Sequence, residues 1–423
     1  MSEPFTLTGH KPADGELPKG WRDSSLGEVA KFLNGRAYKK DELLESGKYR
    51  VLRVGNFFSN NSWYWSDLEL EESKYCDRGD LLYAWSASFG PRIWDGEKVI
   101  FHYHIWRIVE DRDQVDKTWL RHWLDNDVER IKAAVGTGTT MMHVTKREME
   151  KRAISIPSHA EQERIVEILE EQLSRLDTAL ESVRVVREKA AQFRRSLLHA
   201  AFTGTLTGHN PADGQLPEGW EISPIGDRCK IVSGSTPKTS VPEYWGGDIP
   251  WLTPDDLSKN RSKIVERGAR SITRAGLDSC STRLVPPGSV IFTSRAPIGY
   301  VAIAANEMCT NQGFKTAVPS SDIRSDFLYW QLQHVTPDIR SRASGTTFLE
   351  ISGKGFAATK IVVPPLAEQE RIVEILEEQL SRLDAALAVA DAIEKRSAAL
   401  RRSLLHAAFT GRLTEQWRES VHV

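Results

Sequence analysis

The chain contains two nearly identical copies of one long segment, and this repeat restricts the possible folds more than any other feature. Residues 160–180 read AEQERIVEILEEQLSRLDTAL, and residues 367–387 repeat them with only Ala385 in place of Thr178. The segment RRSLLHAAFTG begins at Arg194 and again at Arg401, so both pairs are offset by 207 residues. A period this long excludes a solenoid of short stacked repeats and indicates duplication of a domain together with its connector.

A third repeated segment gives the order of the units. LTGHKPADGELPKGW begins at Leu7, and LTGHNPADGQLPEGW begins at Leu206. The first long copy runs directly into the segment that begins at Leu206. The second long copy lies near the C-terminus, and the segment that begins at Leu7 lies near the N-terminus. The order is therefore circular, and we expect a closed body with approximate two-fold symmetry and neighbouring termini.

The long repeated segments are predicted to be helices that pair with each other. Residues 160–201 contain no glycine or proline and are rich in Glu, Leu, Arg, Ala and Gln. Apolar residues recur at alternating spacings of four and three, the pattern of a coiled-coil seam, with one register slip after Val183. The alternative is two helices on unrelated cores, but matching heptads and a matching slip favour an antiparallel pair. The predicted seam comprises Leu169, Leu173, Leu176, Leu180 and Val183 with Leu376, Leu380, Leu383, Leu387 and Ala390, and beyond the slip Val186, Ala190, Phe193 and Leu197 with Ile393, Leu400 and Leu404.

The segments between the repeats have diverged, and we term them the first divergent region (residues 22–155) and the second divergent region (residues 221–362). Both mix short strand-like runs with turns, and each has a late helical stretch, at residues 117–135 and 324–332. The chain is therefore predicted to be α+β, with two domains of mixed, largely β core, separated by two long antiparallel coiled-coil helices and related by an internal pseudo-two-fold repeat. The predicted boundaries are 1–155 for the first domain, 156–207 for the central helix, 208–362 for the second domain and 363–423 for the C-terminal helix and tail.

Composition excludes several classes of protein. Hydrophobic residues make up 40% of the chain and its mean hydropathy is −0.40, as in water-soluble globular proteins. The sequence lacks an apolar run long enough for a membrane span and a signal-peptide pattern at its N-terminus. Four separated cysteines without nearby histidine pairs argue against disulfides and zinc. We expect a cytoplasmic protein without a membrane association.

Motifs for catalysis are missing from the sequence. It has no phosphate-binding GxxxxGK[ST], no GxSxG, no HExxH and no [ND]PP[YF] loop for adenine methylation. Asp67 lies too close to Glu72 and Lys74 for the metal site of a restriction nuclease. His102 and His104 are expected to share one face of a strand as a groove-facing polar pair, since no third metal ligand is evident. The chain is therefore predicted not to be an enzyme.

Local charge points to nucleic acid. Residues 259–295 carry eight basic and two acidic side chains, an excess of six positive charges that can bind a phosphate backbone, although a solvated loop face is the alternative. Gly-Thr-Thr recurs at residues 138–140 and 345–347, where backbone N–H groups and hydroxyls suit phosphate contacts or a structural turn. The basic residues are Lys259, Arg261, Lys263, Arg267, Arg270, Arg274, Arg283 and Arg295.

Taken together, the motifs resemble those of the specificity (S) subunit of type I restriction-modification systems. The resemblance covers nearly the whole chain, although the first divergent region has HYHI at residues 102–105 where the family motif would read NQGF. The segments that carry it are PPLAEQ at 364–369, TGRLTEQW at 410–417, LPEGW at 216–220, GSTP at 234–237, YWGGDIPW at 244–251 and NQGF at 311–314.

The resemblance implies a role in reading DNA. Two target-recognition domains would each read one half of an asymmetric, bipartite site on double-stranded DNA, and the paired helices would fix the unread spacer and dock two methyltransferase (M) subunits. Restriction (R) subunits would complete the complex. The chain itself would bind no cofactor, because S-adenosylmethionine, ATP and Mg would belong to the partner subunits.

Candidate DNA contacts are side chains that can bond base edges or phosphates. Arginine can bond guanine with two hydrogen bonds, and asparagine or glutamine can do so with adenine. The candidates are Arg36, Lys39, Lys40, Arg53, Asn56, Arg92, Thr139 and Thr140 in the first domain, and Lys238, Asp255, Arg267, Arg270, Arg274, Ser294, Arg295, Asn311, Gln312, Thr346 and Thr347 in the second.

Three other interpretations fit parts of the sequence. An S-like subunit could serve a fused nuclease and methyltransferase, a distinction that neighbouring genes would make. A coiled-coil scaffold that reads no DNA predicts no sequence preference in a footprint. An enzyme with an unrecognised site predicts turnover by the purified chain alone.

Overall fold

A computed structural model of the chain describes residues 17–58, 60–86, 88–135, 144–210, 215–259, 262–345 and 349–421. Its contacts divide it into two compact units, which we call the first unit (Met1–Val183 and Ala392–Val423) and the second unit (Arg184–Asp391). Each unit holds one divergent region and one portion of each long helix. The units thus divide the helices along their length, because both helices contribute to both cores.

The first divergent region is built from ten strands and four α-helices within the described residues. The strands are β1 (Arg22–Ser25), β2 (Ala30–Asn34), β3 (Tyr49–Leu52), β4 (Tyr64–Ser66), β5 (Tyr75–Cys76), β6 (Leu81–Ser86), β7 (Ser88–Ile93), β8 (Val99–Phe101), β9 (Ile105–Glu110) and β10 (Ala153–Ile156). The helices are α1 (Leu26–Val29), α2 (Val54–Phe58), α3 (Lys117–Val135) and α4 (Lys146–Glu150), followed by the long helix α5 (His159–Thr203).

The second divergent region has a matching series of elements in its described residues. The strands are β11 (Glu221–Pro224), β12 (Cys229–Ser233), β13 (Trp245–Leu252), β14 (Ile264–Val265), β15 (Arg270–Ile272), β16 (Val290–Thr293), β17 (Val301–Ala304), β18 (Cys309–Thr310), β19 (Phe314–Pro319) and β20 (Lys360–Val363). The helices are α6 (Ile225–Arg228), α7 (Pro254–Lys259), α8 (Arg274–Asp278), α9 (Ser325–Ser341) and α10 (Gly353–Ala357), followed by the long helix α11 (Leu366–Phe409) and by α12 (Glu415–Val421).

The two divergent regions share one topology. The larger sheet has the order β2-β9-β6-β7 in the first unit and β12-β19-β16-β17-β14 in the second, so β14 is an added edge strand. A smaller sheet has the order β4-β3-β8-β5 in the first unit and β15-β13-β18 in the second, with a parallel pair, β3 with β8 or β13 with β18, in each. Each region closes with an antiparallel pair of its first and last strands. The predicted α+β class and the internal repeat are confirmed.

The repeated sequence AEQ at the start of each long helix explains why these residues recur. The buried Gln162 amide donates to the carbonyls of Gln114 and Pro157 at 3.0 and 3.1 Å, and its oxygen accepts from Asp116 N–H at 2.7 Å. Gln369 makes the corresponding bonds to Asp322, Pro364 and Arg324, each at 2.9 Å. Each glutamine thereby fixes the segment that precedes α3 or α9 to the start of a long helix. Such buried polar groups require partners, so either amide is costly to replace.

The glutamate of the same AEQ motif binds the segment that follows the other long helix, as the circular order of the sequence predicts. In the first unit, Glu161 accepts from the Thr414 hydroxyl at 2.7 Å and pairs with Arg418 at 2.8 Å. In the second unit, Glu368 accepts from the Thr207 hydroxyl and lies 3.1 Å from His209. The segment after α11 therefore docks in the first unit as the segment after α5 docks in the second.

The two units also share a close contact between a glycine after the long helix and a proline. A Cβ atom on Gly411 would lie 2.5 Å from Pro18, and one on Gly204 would lie 2.4 Å from Pro217. Both glycines have positive φ, 75° and 87°, which favours glycine for a second reason. The C-terminal segment thus approaches the residues just before the first divergent region, within one compact unit.

The long helices α5 and α11 pack against each other in opposite directions. In the second unit, Arg187 pairs with Asp391 at 2.6 Å, and seven residues further along α5, Arg194 pairs with Asp384, seven residues earlier along α11, at 3.6 Å. In the first unit, Arg401 of α11 lies 3.6 Å from Asp177 of α5. This pairing confirms the predicted antiparallel coiled-coil helices.

Burial along the helices agrees with the predicted seam only in part. Leu169, Leu173, Val183, Leu376 and Leu380 are buried, whereas Leu176, Leu180, Leu383 and Leu387 are half-buried. Beyond the slip the prediction is wrong at Val186, Phe193, Ile393 and Leu400, which are all at least 39% exposed. It is correct at Ala190 and Leu197, which are buried, and Leu404 is half-buried. Ala390, the equivalent of Val183, is buried as well.

Two local predictions also need correction. The run from Ile100 to Val109 is not one strand but β8 and β9, separated by a turn at residues 102–104. The late helix of the second region does not end at residue 332, because α9 runs to Ser341 with Pro337 inside it. The missing N–H of Pro337 removes one helical hydrogen bond, but the buried Ile339 anchors the last turn against the core. Among the described residues, none of the helices combines the length and apolar character needed to cross a membrane.

Candidate nucleic-acid interface

In the second unit, the end of β12 lies directly against the turn between β18 and β19. A Cβ atom on Gly234 would lie 2.0 Å from the carbonyl oxygen of Asn311, so only glycine fits. Ser235 N–H donates to the Thr310 carbonyl at 2.9 Å, and Asn311 N–H donates to the Leu252 carbonyl at 2.9 Å. The backbone therefore brings the GSTP, PWL and NQGF sequences together at one place.

The polar side chains at this place are held by one another. The Gln312 amide oxygen accepts from the Thr236 hydroxyl, and the Asn311 amide oxygen accepts from Gly313 N–H at 2.8 Å. Gln312 is exposed and Asn311 is half-buried. Because both oxygens are engaged within the turn, each side chain is oriented with its amide NH₂ directed away from these contacts.

Arg270, on the edge strand β15, lies over the ring of Trp245 and near that of Trp251 beside this turn. Its guanidinium lies 3.5 Å from the ring centre of Trp245 and 5.6 Å from that of Trp251. Trp251 Nε1–H donates to the Ser235 carbonyl at 3.0 Å and so fixes the platform. A guanidinium held over an aromatic ring by a cation–π contact can still donate hydrogen bonds to an anion or a base.

The first unit repeats the backbone arrangement with different side chains. A Cβ atom on Gly35 would lie 2.4 Å from the carbonyl oxygens of Phe101 and His102. Arg36 N–H donates to the Phe101 carbonyl at 3.0 Å, and His102 N–H donates to the Leu52 carbonyl at 2.9 Å. Residues 102–104, which we call the β8–β9 turn, therefore occupy the position of residues 311–313 in the second unit.

The β8–β9 turn carries a cluster of aromatic and imidazole rings. The rings of His102 and His104 are 4.8 Å apart, and the His104 ring meets Trp85 edge-on at 5.0 Å. Trp85 Nε1–H donates to the Tyr103 carbonyl at 2.9 Å. The two histidines therefore do lie side by side, but on a turn and not on the strand that the sequence predicts. Burial, with His104 and Arg53 nearby, lowers the pKa of His102 to about 4, so His102 is neutral at neutral pH.

A polar cleft of about 330 Å³ opens beside this turn. Its rim is the loop after α2, which the Asn56 amide closes by donating to the carbonyls of Asn60 and Ser62 at 3.0 and 2.7 Å. The lining side chains are Arg53, Asn56, Asn60, Ser62, Tyr64, His102 and His104. The structure thus brings the predicted residues Arg53 and Asn56 into one site with two histidines.

Other candidates of the first domain lie in different settings. Arg36 forms a two-point ion pair with Glu42 at 2.7 and 2.9 Å, and the hydrogen bonds from Arg36 lower the pKa of Glu42 to about 2. Arg92 donates to the Phe57 carbonyl at 2.9 Å and to Asp95 at 3.1 Å. Lys39 and Lys40 are exposed, while Thr139 and Thr140 lie outside the described residues.

The remaining candidates of the second domain divide by exposure. Lys238 and Arg267 are exposed, and Asp255 and Arg274 are exposed within ion pairs to Lys259 at 2.6 Å and Asp278 at 3.4 Å. Arg295 is half-buried and lies 3.6 Å from Glu350. Ser294 is fully buried, and its hydroxyl accepts from Lys315 Nζ at 3.4 Å, so its side chain has no surface for DNA. Arg261, Thr346 and Thr347 lie outside the described residues.

The candidate DNA contacts chosen from the sequence did not include Tyr64, Asn60, Trp245, His102 or His104, although Trp245 lies in the YWGGDIPW segment. The equivalence of residues 102–104 with NQGF was visible in the sequence, but the packing of the loop after α2 against them was not. In the part of the chain that the structure describes, no group of three or more His, Cys, Asp or Glu side chains could hold a metal ion.

Comparison with known proteins gives one consistent family. The family model for the "Type I restriction modification DNA specificity domain" matches residues 18–184 and 217–388. The EcoDI specificity subunit of Escherichia coli is 25% identical over 439 aligned residues, covering 96% of this chain and 91% of the relative. The MjaIX specificity subunit of Methanocaldococcus jannaschii is 41% identical over 165 residues, and only 38% of each protein is covered.

Solved structures agree with the fold. A chain from a study of "complex assembly" and "conformational transition of the type I R-M system" covers 94% of this chain and 99% of its own length, with a TM-score of 0.68 and 22% identity. The HsdS subunit from Thermoanaerobacter tengcongensis covers 94% and 98%, with a TM-score of 0.53 and 22% identity. At these identities the likeness concerns the fold alone.

Proposed function

This chain belongs to the type I restriction-modification DNA specificity family, and we propose that each of its divergent regions reads one half of an asymmetric, bipartite DNA site. The observation that supports this most directly is the pair of equivalent turns, residues 102–104 and 311–313. They occupy the same backbone position in two copies of one topology but carry different side chains. Readers on a shared scaffold with different side chains recognise different bases, so the site is asymmetric.

The paired helices, in this proposal, set the spacer between the half-sites and dock two methyltransferase (M) subunits. The antiparallel packing of α5 and α11 gives both divergent regions a shared helical connection. The outward side chains of Val186, Phe193 and Val389 leave apolar surface on the helices of the second unit, and Ile393 and Leu400 do so in the first unit. Exposed apolar surface of this kind is typical of sites that bind another protein.

In this proposal the catalytic steps belong to the partner subunits. The chain acts without catalysis of its own, restriction (R) subunits complete the complex in the cytoplasm, and S-adenosylmethionine, ATP and Mg bind to the partner subunits. The sequence lacks methyltransferase, NTPase and nuclease signatures, which supports this division.

The test is methylome sequencing of a host that expresses this chain with its methyltransferase subunit. We expect adenine methylation within one two-part motif whose halves differ in sequence and are separated by a fixed number of unread bases. A host that expresses the methyltransferase alone is the control and should show no such motif. A single uninterrupted motif, or methylation without sequence preference, would contradict the proposal.

A further inference from the structure

The cleft beside the β8–β9 turn is lined by two side chains that can donate hydrogen bonds to a ligand. Arg53, which follows β3, is exposed, and its guanidinium lies 5.2 Å from the ring centre of Tyr64. His102 lines the same cleft of about 330 Å³. Within the described residues Arg53 makes no ion pair, so its donors are not neutralised by a carboxylate.

The tautomer of His102 is set by its own turn. His104 N–H points at His102 Nδ1 at 3.4 Å, so Nδ1 is an acceptor and carries no proton. The ring is neutral at neutral pH, and a neutral imidazole with an accepting Nδ1 carries its single proton on Nε2. His102 therefore presents Nε2–H as a donor to any ligand that enters the cleft.

The amides that line the cleft are engaged in holding its rim. Asn56 gives both of its bonds to the carbonyls of Asn60 and Ser62, and the Asn60 side-chain oxygen accepts from Ser62 N–H at 2.7 Å. These bonds shape the loop and take up the amide groups that would otherwise read adenine. Arg53 and His102 line the cleft with donors that these rim bonds do not use, and two such donors suit a ligand with two acceptors.

Among the four bases, guanine presents two adjacent acceptors, O6 and N7, in the major groove, whereas adenine pairs its acceptor with a donor. We propose that this cleft binds the major-groove edge of one guanine. In this arrangement Arg53 donates to O6, and the Nε2–H of His102 donates to N7. This assignment deepens the proposed function and rests on it, because it names a base within the half-site read by the first divergent region.

The experiment is equilibrium binding by the full chain in complex with its methyltransferase subunit. Duplexes carry the methylation motif, with each guanine in turn replaced by 7-deazaguanine, which lacks the N7 acceptor. For the unaltered chain, one guanine of one half-site should be sensitive, with a loss of about five- to 150-fold. His102→Ala should weaken binding to the unmodified duplex by a similar factor and abolish the sensitivity at that one guanine.

Two further variants keep the test decisive. Arg53→Gln changes an exposed side chain and should also relax the requirement for guanine at the same position in the methylation motif. Lys31→Gln, an exposed residue on β2 away from the cleft, is the matched control and should leave the motif unchanged. Retained discrimination at the other half-site shows that each variant is folded.

Several results would overturn the assignment. If His102→Ala weakens all sequences equally, the cleft contacts a phosphate and not a base. If the variant keeps its 7-deazaguanine sensitivity at every position, or if neither half-site contains guanine, the cleft does not read guanine. These outcomes differ from failure of the proposed function, in which the unaltered chain itself would give no two-part motif.

Discussion

Burial lowers the pKa of three histidines of this chain, His102, His122 and His334. His122 on α3 is almost fully buried, with Arg121 Nη2 2.9 Å from its Nε2. Burial, followed by the positive charges of Arg121 and Arg401, lowers the pKa of His122 to about 3. Glu170 lies 4.0 Å away but is 59% exposed, so solvent screens its opposing effect. His102 shifts in the same direction for a similar reason.

A buried neutral histidine makes the folded state sensitive to acid. Between its folded pKa of about 3 and its unfolded pKa of about 6.5, the unfolded chain binds the proton and the folded chain does not, so stability falls as the pH decreases through this window. We expect His122→Gln to remove about 2 kcal/mol of the stability lost between pH 7 and pH 5. Urea unfolding at both pH values, followed by tryptophan fluorescence, measures this difference. His159→Gln, an exposed control at the start of α5, should leave the loss unchanged, and an unaltered loss in His122→Gln would contradict the argument.

Single residues of the site could be predicted only where the motif itself names them. Gly234 and Asn311 were recognisable because they lie in the GSTP and NQGF motifs. The close approach of Gly234 to the Asn311 carbonyl requires glycine, and the Asn311 amide oxygen accepts a hydrogen bond within its turn. Ser294 shows the limit, because alternation along a strand cannot tell which face the core covers, and the structure places it inside. The stacking of Arg270 on Trp245 depends on β15 pairing with β13, and that pairing is not encoded in local sequence.

Helices and strands could be predicted from the sequence more fully than contacts between side chains. The extents of α3 and α5 can be read from composition and heptads, since these signals accumulate over many residues. The division of β8 from β9 was missed because an apolar run with a polar interruption reads as one strand when the turn has no glycine or proline. The exposure of Val186, Phe193, Ile393 and Leu400 was missed because spacing alone cannot show which side chains of a seam face the other helix.

The long helices allow a prediction about the proposed spacer. Insertion of four residues after Val183 adds about 6 Å to α5 at 1.5 Å per residue, and rotates the C-terminal portion of the helix by only about 40°, so the packed face is nearly kept. We expect the methylation motif to keep both half-sites and to lengthen its spacer. The same four residues inserted after Glu419, in α12, are the control and should leave the spacer unchanged. A change of bases within either half-site would refute a role of the helices in spacing alone.

For the molecule as a whole, DNA binding has to arise from local charge, because the net charge is −2. The basic stretch of the second unit contains side chains in three different states. Arg270 is stacked on tryptophan, Arg274 is paired with Asp278, and Arg267 is exposed without an ion pair among the described residues. Arg267 is therefore placed to bind a phosphate by charge alone.

Salt dependence separates this role from base reading. Each neutralised phosphate contributes about 0.9 to the slope of log K against log salt on duplex DNA, so Arg267→Gln should flatten the slope by about that amount and weaken all sequences alike. Neutralising Arg270 and Arg274 as well should flatten the slope further. Titrations of the complex at several salt concentrations, on cognate and scrambled duplexes, measure both effects. Lys189→Gln, exposed on α5, is the charge-matched control and should leave the slope unchanged. A loss of discrimination at one base position in Arg267→Gln, with the slope intact, would instead make Arg267 a reader of sequence.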